Sequence, residues 1–473
     1  MSNSMGVTFS TRNIIIVACI ALIIFLAAAA VVVAVMGNTG DMSERESIEA
    51  KLDELGDTDL GHKNVAAHLS EFGIGGFDAG KLRRVEYYFT NEYPMDIPTI
   101  PAMAHKTASL YLEYYYDKID SSDKEAVTTA LLRCFVESTG DAYAVYRTAE
   151  ELADFDTDMS GTFVGIGVSV TQTIDPATGM LDEVRVEAVL SDSGAEDAGI
   201  LAGDLIIAVD GRPLSEFDSN TLVNAIRGAE GTTVVITVLR AETEIDLSCE
   251  RRLVIDKTVD YAISDGVAYI EITSFKSNTP DLFADALETV KAAGVKGIVF
   301  DLRGNPGGYL DSVLEVLDML VPRGVTLASY VDASGDSTVF TSTGEGDSLD
   351  VPCVVICNER TASAGELFTA AMKDFTAMGL IRAKIVGTTT YGKGVMQNTY
   401  KLYDGSSITL TTAFYNPPLG TNYNGVGVVP DVVAADPEGS VDNQLAKALE
   451  TLADMVYGGG GDPSSGSDQN TEF

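Results

Sequence analysis

From Asn13 to Met36 the chain runs NIIIVACIALIIFLAAAAVVVAVM without a charge. As a helix rising about 1.5 Å per residue this run covers roughly 36 Å, enough to span a bilayer. The apolar core of a cleaved signal peptide is only about 7 to 15 residues, so a retained transmembrane helix is expected over 13–36. Arg12 precedes the run, and Asp41, Glu44 and Glu46 follow it. The positive-inside bias then leaves residues 1–12 as a cytoplasmic tail and everything after the span extracytoplasmic. Residues 37–157 read as a helical N-terminal region, with a Ser-then-Glu capping pattern opening SERESIEAKLDELG and apolar spacings of three and four in SSDKEAVTTALLRCFVEST. Over 158–252 the pattern changes to short Val/Ile-rich runs separated by Gly-containing turns, FVGIGVSV, EVRVEAVL, DLIIAVDG, TTVVITVLR and EIDLSCERR, interrupted by helix-like stretches near 193–199 and 219–231. This predicts a small β-rich domain. Over 253–456 strand and helix patterns alternate, as in an α/β layered core, and 457–473 has no apolar periodicity and reads as a flexible tail. The fold class is α/β and multidomain.

Length and charge sharpen this picture. The 473 residues, with 45% hydrophobic and 21% charged, suit about three globular domains. Against 31 Lys plus Arg stand 70 Asp plus Glu, a net charge of -39, which repels phosphate backbones and argues against a nucleic-acid partner. Outside the apolar run the cysteines are Cys134, Cys249, Cys353 and Cys357, too few for a disulfide framework. Cys353 and Cys357 fall on one face of a buried-strand pattern, VPCVVIC, as packing residues. No metal site is expected. Asp156, Asp158, Ser160 and Gly161 begin like a calcium loop, but position twelve is Gly167 rather than Glu, and an acidic linker is the plainer reading.

The candidate chemistry lies in the α/β stretch. The strand VPCVVIC runs into NERTASAGELFTAAMKD, which puts Ser363 where a strand end turns into a helix N-terminus. Unpaired N–H groups there, including that of Ala364, suit an oxyanion, although a serine at such a place is ordinarily just a helix cap. A serine nucleophile needs a base. The histidines are His62, His68 and His105, all early in the chain, so a lysine is the more economical partner. VGTTTYGKGVMQ sets Lys393 between two glycines. To act as a base near neutral pH its amine must fall from about 10.4 by local burial away from carboxylates. Gln397 follows four residues later, about 13 Å away in an extended strand, so the two meet only if the chain bends. In RGNPGG, Gly307 and Gly308 allow backbone N–H groups to approach a ligand closely.

DLRGNPGG, TASAGELF, GTTTYGKGVMQ and DGSSITLTTAFYNPP, followed by GVGVVPDV, resemble the carboxyl-terminal processing peptidases, also called tail-specific proteases. FVGIGV followed by SGAEDAGILAGDLIIAVDG resembles the PDZ domain that such peptidases carry. The resemblance covers about residues 140 to 436. It implies Ser363 as nucleophile, Lys393 as general base and Gln397 as its orienting partner, with Ala364 and the Gly307/Gly308 turn supplying oxyanion N–H groups. It also implies that the loop Val164, Gly165, Ile166, Gly167 and Val168 receives a peptide C-terminus, with Ile166 and Val168 taking the terminal side chain. Two departures stand out. The family's Ser-Ala-Ser-Ala-Ser-Glu pattern reads Thr361-Ala362-Ser363-Ala364-Gly365-Glu366 here, and the stretch DFTAMGLIRAK is longer than usual, which places it in a loop or an extended helix.

Together with the anchor expected over 13–36, the resemblance implies a membrane-anchored serine endopeptidase of Ser/Lys type, needing no cofactor, that recognises free protein C-termini and cleaves near them. A catalytically silent scaffold that tethers C-terminal tails at the membrane is the alternative. An acyl-CoA enzyme on a related layer fold is suggested only by the glycine loop, and extracytoplasmic placement argues against it. Oligomeric state has no signal in the sequence.

Overall fold

The computed structural model describes residues 64–175, 180–190, 192–344, 349–435 and 442–457. The expected anchor, the SERESIEAKLDELG segment and residues 458–473 lie outside these. Among the described residues no helix is long and apolar enough to cross a membrane. The chain divides into two compact units. One comprises Lys257–Met396 and the described residues from Ala413 onward; the other comprises the described residues up to Asp256 together with Gln397–Thr412.

The second unit opens with α1 (Val65–Phe72), α2 (Ala79–Glu92), α3 (Ile100–Tyr114) and α4 (Lys124–Thr139). Each starts at a polar residue whose side chain accepts a free N–H of the first turn: Asn64, Asp78, Thr99 and Asp123. Their apolar faces meet around Leu69, Phe72, Phe89, Met103 and Phe135, all fully buried. After β1 (Val145–Arg147), α5 (Ala149–Ser160) begins with a Thr148–Glu151 capping box and ends at Gly161 with φ 71°. Asp156 and Asp158, expected in an acidic linker, are therefore helical.

The β-rich stretch contains β2 (Thr162–Gly165), β3 (Val168–Ile174), β4 (Leu181–Val189), α6 (Gly194–Ala198), β5 (Leu205–Val209), β6 (Arg212–Pro213), α7 (Ser219–Ile226), β7 (Thr233–Arg240), β8 (Thr243–Glu250) and β9 (Arg252–Ile255). Its sheet has the order β3-β4-β5-β7-β8, with β6 on β5, while β2 pairs with β9. β3 is thus an edge strand. Alternate residues of these strands, among them Val184, Val186, Val234, Ile236 and Val238, fill the core beneath.

In the first unit follow β10 (Val259–Ser264), β11 (Val267–Ile272), α8 (Thr279–Ala292), β12 (Gly297–Asp301), α9 (Leu310–Asp318), β13 (Thr326–Asp332), β14 (Ser337–Thr341), β15 (Cys353–Cys357), α10 (Ala364–Ala377) and β16 (Ala383–Gly387). Next come β17 (Val395–Lys401) and β18 (Ser407–Asn416), both shared with the other unit, then β19 (Val432–Val433) and α11 (Asn443–Tyr457). The central sheet is ordered β10-β11-β12-β15-β16-β19, parallel from β11 onward. Every residue of β12 and β15 is buried, as expected of strands covered on both faces. Ile298, Phe300, Cys353, Val355 and Cys357 pack against α8, α9 and α10, while Val299, Val354 and Ile356 pack against Ala448 and Leu452 of α11. Burial pushes the Cys353 and Cys357 thiols up to about 12. The DFTA of the long stretch belongs to α10, and a Gly379 turn at φ 74° leads into β16. The helix is extended because Phe375 is fully buried in the core.

Candidate active site

β15 ends at Cys357, and the next residues are held tightly before α10 begins. The Thr361 hydroxyl donates to the Leu302 carbonyl (2.8 Å), and Ala362 N–H donates to the Asn305 carbonyl (2.9 Å). Ser363, at the helix N-cap, has φ 53° and ψ -117°, a conformation costing a non-glycine residue about 1–3 kcal/mol. The surrounding bonds hold it there: its N–H donates to Glu366 Oε2 at 2.9 Å, and its carbonyl accepts from Leu367 N–H at 2.9 Å. The turn presents a half-buried serine beside the first N–H groups of α10, among them that of Ala364, which lack partners within the helix.

Glu366 is fully buried. Its Oε1 accepts from the Thr390 hydroxyl (2.5 Å) and Gly392 N–H (2.6 Å); its Oε2 accepts from Lys393 N–H (2.7 Å) as well as from Ser363. One carboxylate therefore joins the backbone of Ser363 to the backbone of Lys393. Gly392 lies at φ 97°, and a Cβ there would sit 3.1 Å from the Val426 and Gly427 nitrogens, so a larger residue would displace the loop. Two tyrosines complete the frame. Tyr415 donates to the Lys393 carbonyl at 2.9 Å, Tyr423 donates to the Ser363 carbonyl at 3.4 Å, and their rings meet edge to face at 5.9 Å. Burial, with Tyr415 adding to it, raises the Tyr423 phenol well above its usual range, so it stays a neutral donor.

The RGNPGG turn packs directly on the serine turn: a Cβ on Gly307 would lie 2.7 Å from Ser363 Cβ and 2.9 Å from Ala364 N. Gly307 N–H, however, donates to Asn305 Oδ1 at 2.8 Å. That N–H is committed to a buried amide. Gly308 lies at φ 146°. Arg303, at the head of the turn, binds Asp301 through Nε and Nη2 and Asp442 through Nη1 (2.7 Å). Burial works against its charge, but these carboxylates more than offset that and raise its guanidinium further.

Gln397 lies on β17 in the other unit, where its Nε2 donates to Thr411 Oγ1 at 3.5 Å. Thr411 is in turn held by buried Asp141, which accepts from its N–H (2.8 Å) and its hydroxyl (3.0 Å). Among the β-rich residues, Val164 and Gly165 form the end of β2, paired with Leu253 and Arg252. The Ile166 and Gly167 carbonyls accept from Ala195 and Leu190 N–H groups, which fixes the loop leading into β3. Ile166 is 1% exposed and belongs to the core, so Val168, half-buried at the start of the edge strand, is the apolar side chain of the two nearer the surface. His68 and His105 lie on α1 and α3. Among the described residues no cluster of His, Cys, Asp or Glu is placed to hold a metal ion.

Sequence reasoning passed over Glu366 and Asn305 as working residues. The first carried a signal, since a Glu three residues after a helix-capping Ser is the capping-box spacing. Asn305 carried none beyond membership of RGNPGG.

Residues 266–434 match the family model of peptidase family S41, and residues 185–240 match a PDZ domain. A probable CtpA-like serine protease of Staphylococcus aureus is 32% identical over 359 residues, 75% of this chain and 69% of that protein. A protein of the same description from Staphylococcus haemolyticus is 32% identical over 68% of this chain, which spans only 62% of that protein's length. Among solved structures, the photosystem II D1 C-terminal processing protease is similar over 87% of this chain and 97% of its own, at 24% identity and a TM-score of 0.43. The chain belongs to peptidase family S41, among the CtpA-like serine proteases, and carries a PDZ domain ahead of its peptidase region.

Proposed function

We propose that the protein is a membrane-anchored extracytoplasmic serine endopeptidase that takes a protein C-terminus in its PDZ domain and cleaves the unstructured segment nearby. The observation that carries the Ser/Lys reading is the Glu366 carboxylate, which ties the backbone of Ser363 and of Lys393 to one buried group. In this reading the neutral Lys393 amine takes the Ser363 hydroxyl proton as Oγ attacks the scissile carbonyl. The Ala364 and Gly308 N–H groups stabilise the negative oxygen of the tetrahedral intermediate. As the carbonyl re-forms, the C–N bond breaks, and the Lys393 ammonium returns its proton to the departing amine. Water then attacks the acyl-enzyme with the same amine as base, releasing the acid and restoring Ser363. Gln397 orients the lysine without adding a charge that would keep it protonated.

In the PDZ domain, the substrate's last residues add as a strand along β3, and its carboxylate meets the loop N–H groups at Gly165–Gly167. The anchor at 13–36 holds both activities at the outer membrane surface. The test incubates wild type, Ser363→Ala and Lys393→Ala with an unfolded reporter bearing a free apolar C-terminus and reads products by mass. Cleavage by wild type alone, lost when the reporter's C-terminus is amidated, is the expected result. Equal binding by all three proteins with no cleavage would instead favour the tail-binding scaffold.

A further inference from the structure

Asn305 is fully buried, and every polar group it owns is in use. Its Nδ2 donates to the Ile272 carbonyl at the end of β11 (2.8 Å), its Oδ1 accepts from Gly307 N–H (2.8 Å), its main-chain N–H donates to Leu302 (3.1 Å), and its carbonyl accepts from Ala362 N–H (2.9 Å). One residue thus links the central sheet, the glycine turn and the loop just before Ser363. The turn is then fixed from its far side. Phe275 N–H donates to the Gly307 carbonyl (2.8 Å) and Tyr309 N–H donates to the Phe275 carbonyl (2.7 Å), a parallel bridge centred on Gly308. In such a bridge the central residue's own N–H and C=O point away from the partner strand, so Gly308 N–H faces away from Phe275. No side chain fits between them, since a Cβ on Gly308 would lie 2.1 Å from the Phe275 oxygen.

The first turn of α10 closes on the same asparagine. A Cβ at Gly365 would come within 3.2 Å of both Asn305 O and Asn305 Oδ1, tight enough to push the asparagine back by some tenths of an ångström. Gly365 is one of the two positions, with Thr361, at which this chain departs from a serine of the Ser-Ala-Ser-Ala-Ser-Glu motif it resembles.

We propose that Asn305 is a positioning residue for the oxyanion site: by taking the Gly307 N–H out of play it aims that of Gly308, and glycine at 365 is what lets it sit there. The inference rests on the peptidase reading above. Because Asn305 acts on the oxyanion donors and not on the substrate chain, its loss weakens binding of a tetrahedral adduct more than binding of the intact peptide.

The experiment uses the full-length protein and a peptide aldehyde ending at the bond the wild type cleaves. The aldehyde is captured when Ser363 Oγ adds to its carbonyl carbon; the C=O electron pair becomes the oxyanion and the serine proton passes to the Lys393 amine. Intact-peptide affinity is measured in the Ser363→Ala background, with and without each second change. Asn305→Ala should lower kcat and raise the aldehyde inhibition constant by a common factor on the order of 10², with intact-peptide Kd little changed. Gly365→Ala should move the same pair of constants together, by less. Should Asn305→Ala fail to fold, Gly365→Ala decides alone. Unchanged kcat, or aldehyde and intact peptide weakened by the same factor, overturns the role of Asn305. Absence of cleavage by the wild type would instead overturn the peptidase reading, and cleavage by Ser363→Ala would overturn Ser363 as its nucleophile, so these failures are distinguishable from that of Asn305.

Discussion

Four hydrogen bonds end on the Glu366 carboxylate, and their donors are the N–H groups of Ser363, Gly392 and Lys393 and the Thr390 hydroxyl. A carboxylate is suited to this because all its lone pairs accept. Glu366→Gln keeps the size but turns one oxygen into an NH2 group facing donors, which leaves at least two buried groups unpaired at about 1–3 kcal/mol each. The expected outcome is a thermal midpoint lowered by several degrees, together with a loss of kcat larger than the loss of substrate affinity, because both candidate catalytic segments lose their common anchor. Circular dichroism melts and steady-state kinetics check this. A Gln variant with wild-type kcat would mean that the carboxylate only caps α10. The residue scale was partly legible. Ser363 stood out because a continuous apolar strand runs into a helix start, whereas the acceptors that hold it, Glu366 and Asn305, draw their meaning from donors on distant segments.

At the scale of elements, the hairpin of β17 and β18 is fastened to the helices of its own unit by its tip. Lys81 of α2 is 4% exposed and donates to Asp404 (2.5 Å) and to the Tyr146 hydroxyl (2.6 Å), while Tyr403 donates to Asp78 (2.6 Å) and Tyr88 stacks on Tyr400 at 4.3 Å. Burial works against the Lys81 charge, but Asp404 and Tyr146 outweigh it and keep the amine charged to higher pH than usual. Removing only the carboxylate, in Asp404→Ala, strands that charge and should destabilise by about 3 kcal/mol. Lys81→Met, which removes the buried charge itself, should cost less, and denaturant midpoints of the two variants test the order. A reversed order would show that the ammonium's packing matters more than its pairing. Nothing local announces this fastening, since Lys81 and Asp404 are 323 residues apart. Elements defined by their own sequence were legible: the apolar runs of the buried strands β12 and β15, and the helices α6 and α7 between β-rich runs. The end of α10 was not, because burial of Phe375 decides whether DFTA stays helical.

For the whole molecule, the net charge of -39 acts on any approaching polypeptide before contact. Its reach follows the Debye length, about 30 Å at 0.01 M salt and about 8 Å at 0.15 M, so it affects encounter far more at low ionic strength. Reporter tails of equal length and equal apolar C-terminal residues, one carrying basic and the other acidic side chains upstream, separate this field from the chemistry of the peptidase site. At low salt kcat/KM should favour the basic tail, because steering raises its association rate and repulsion lowers that of the acidic one. Raising salt should lower the first and raise the second until they converge, while kcat stays nearly constant for both. The convergence distinguishes a diffuse field from a specific acidic subsite, since close-range pairing in a partly buried pocket is screened much less and would preserve the preference at high salt. Identical salt dependence for the two tails would mean that the acidic side chains lie away from the path by which substrates reach the PDZ domain and the peptidase site, and that the charge serves solubility alone.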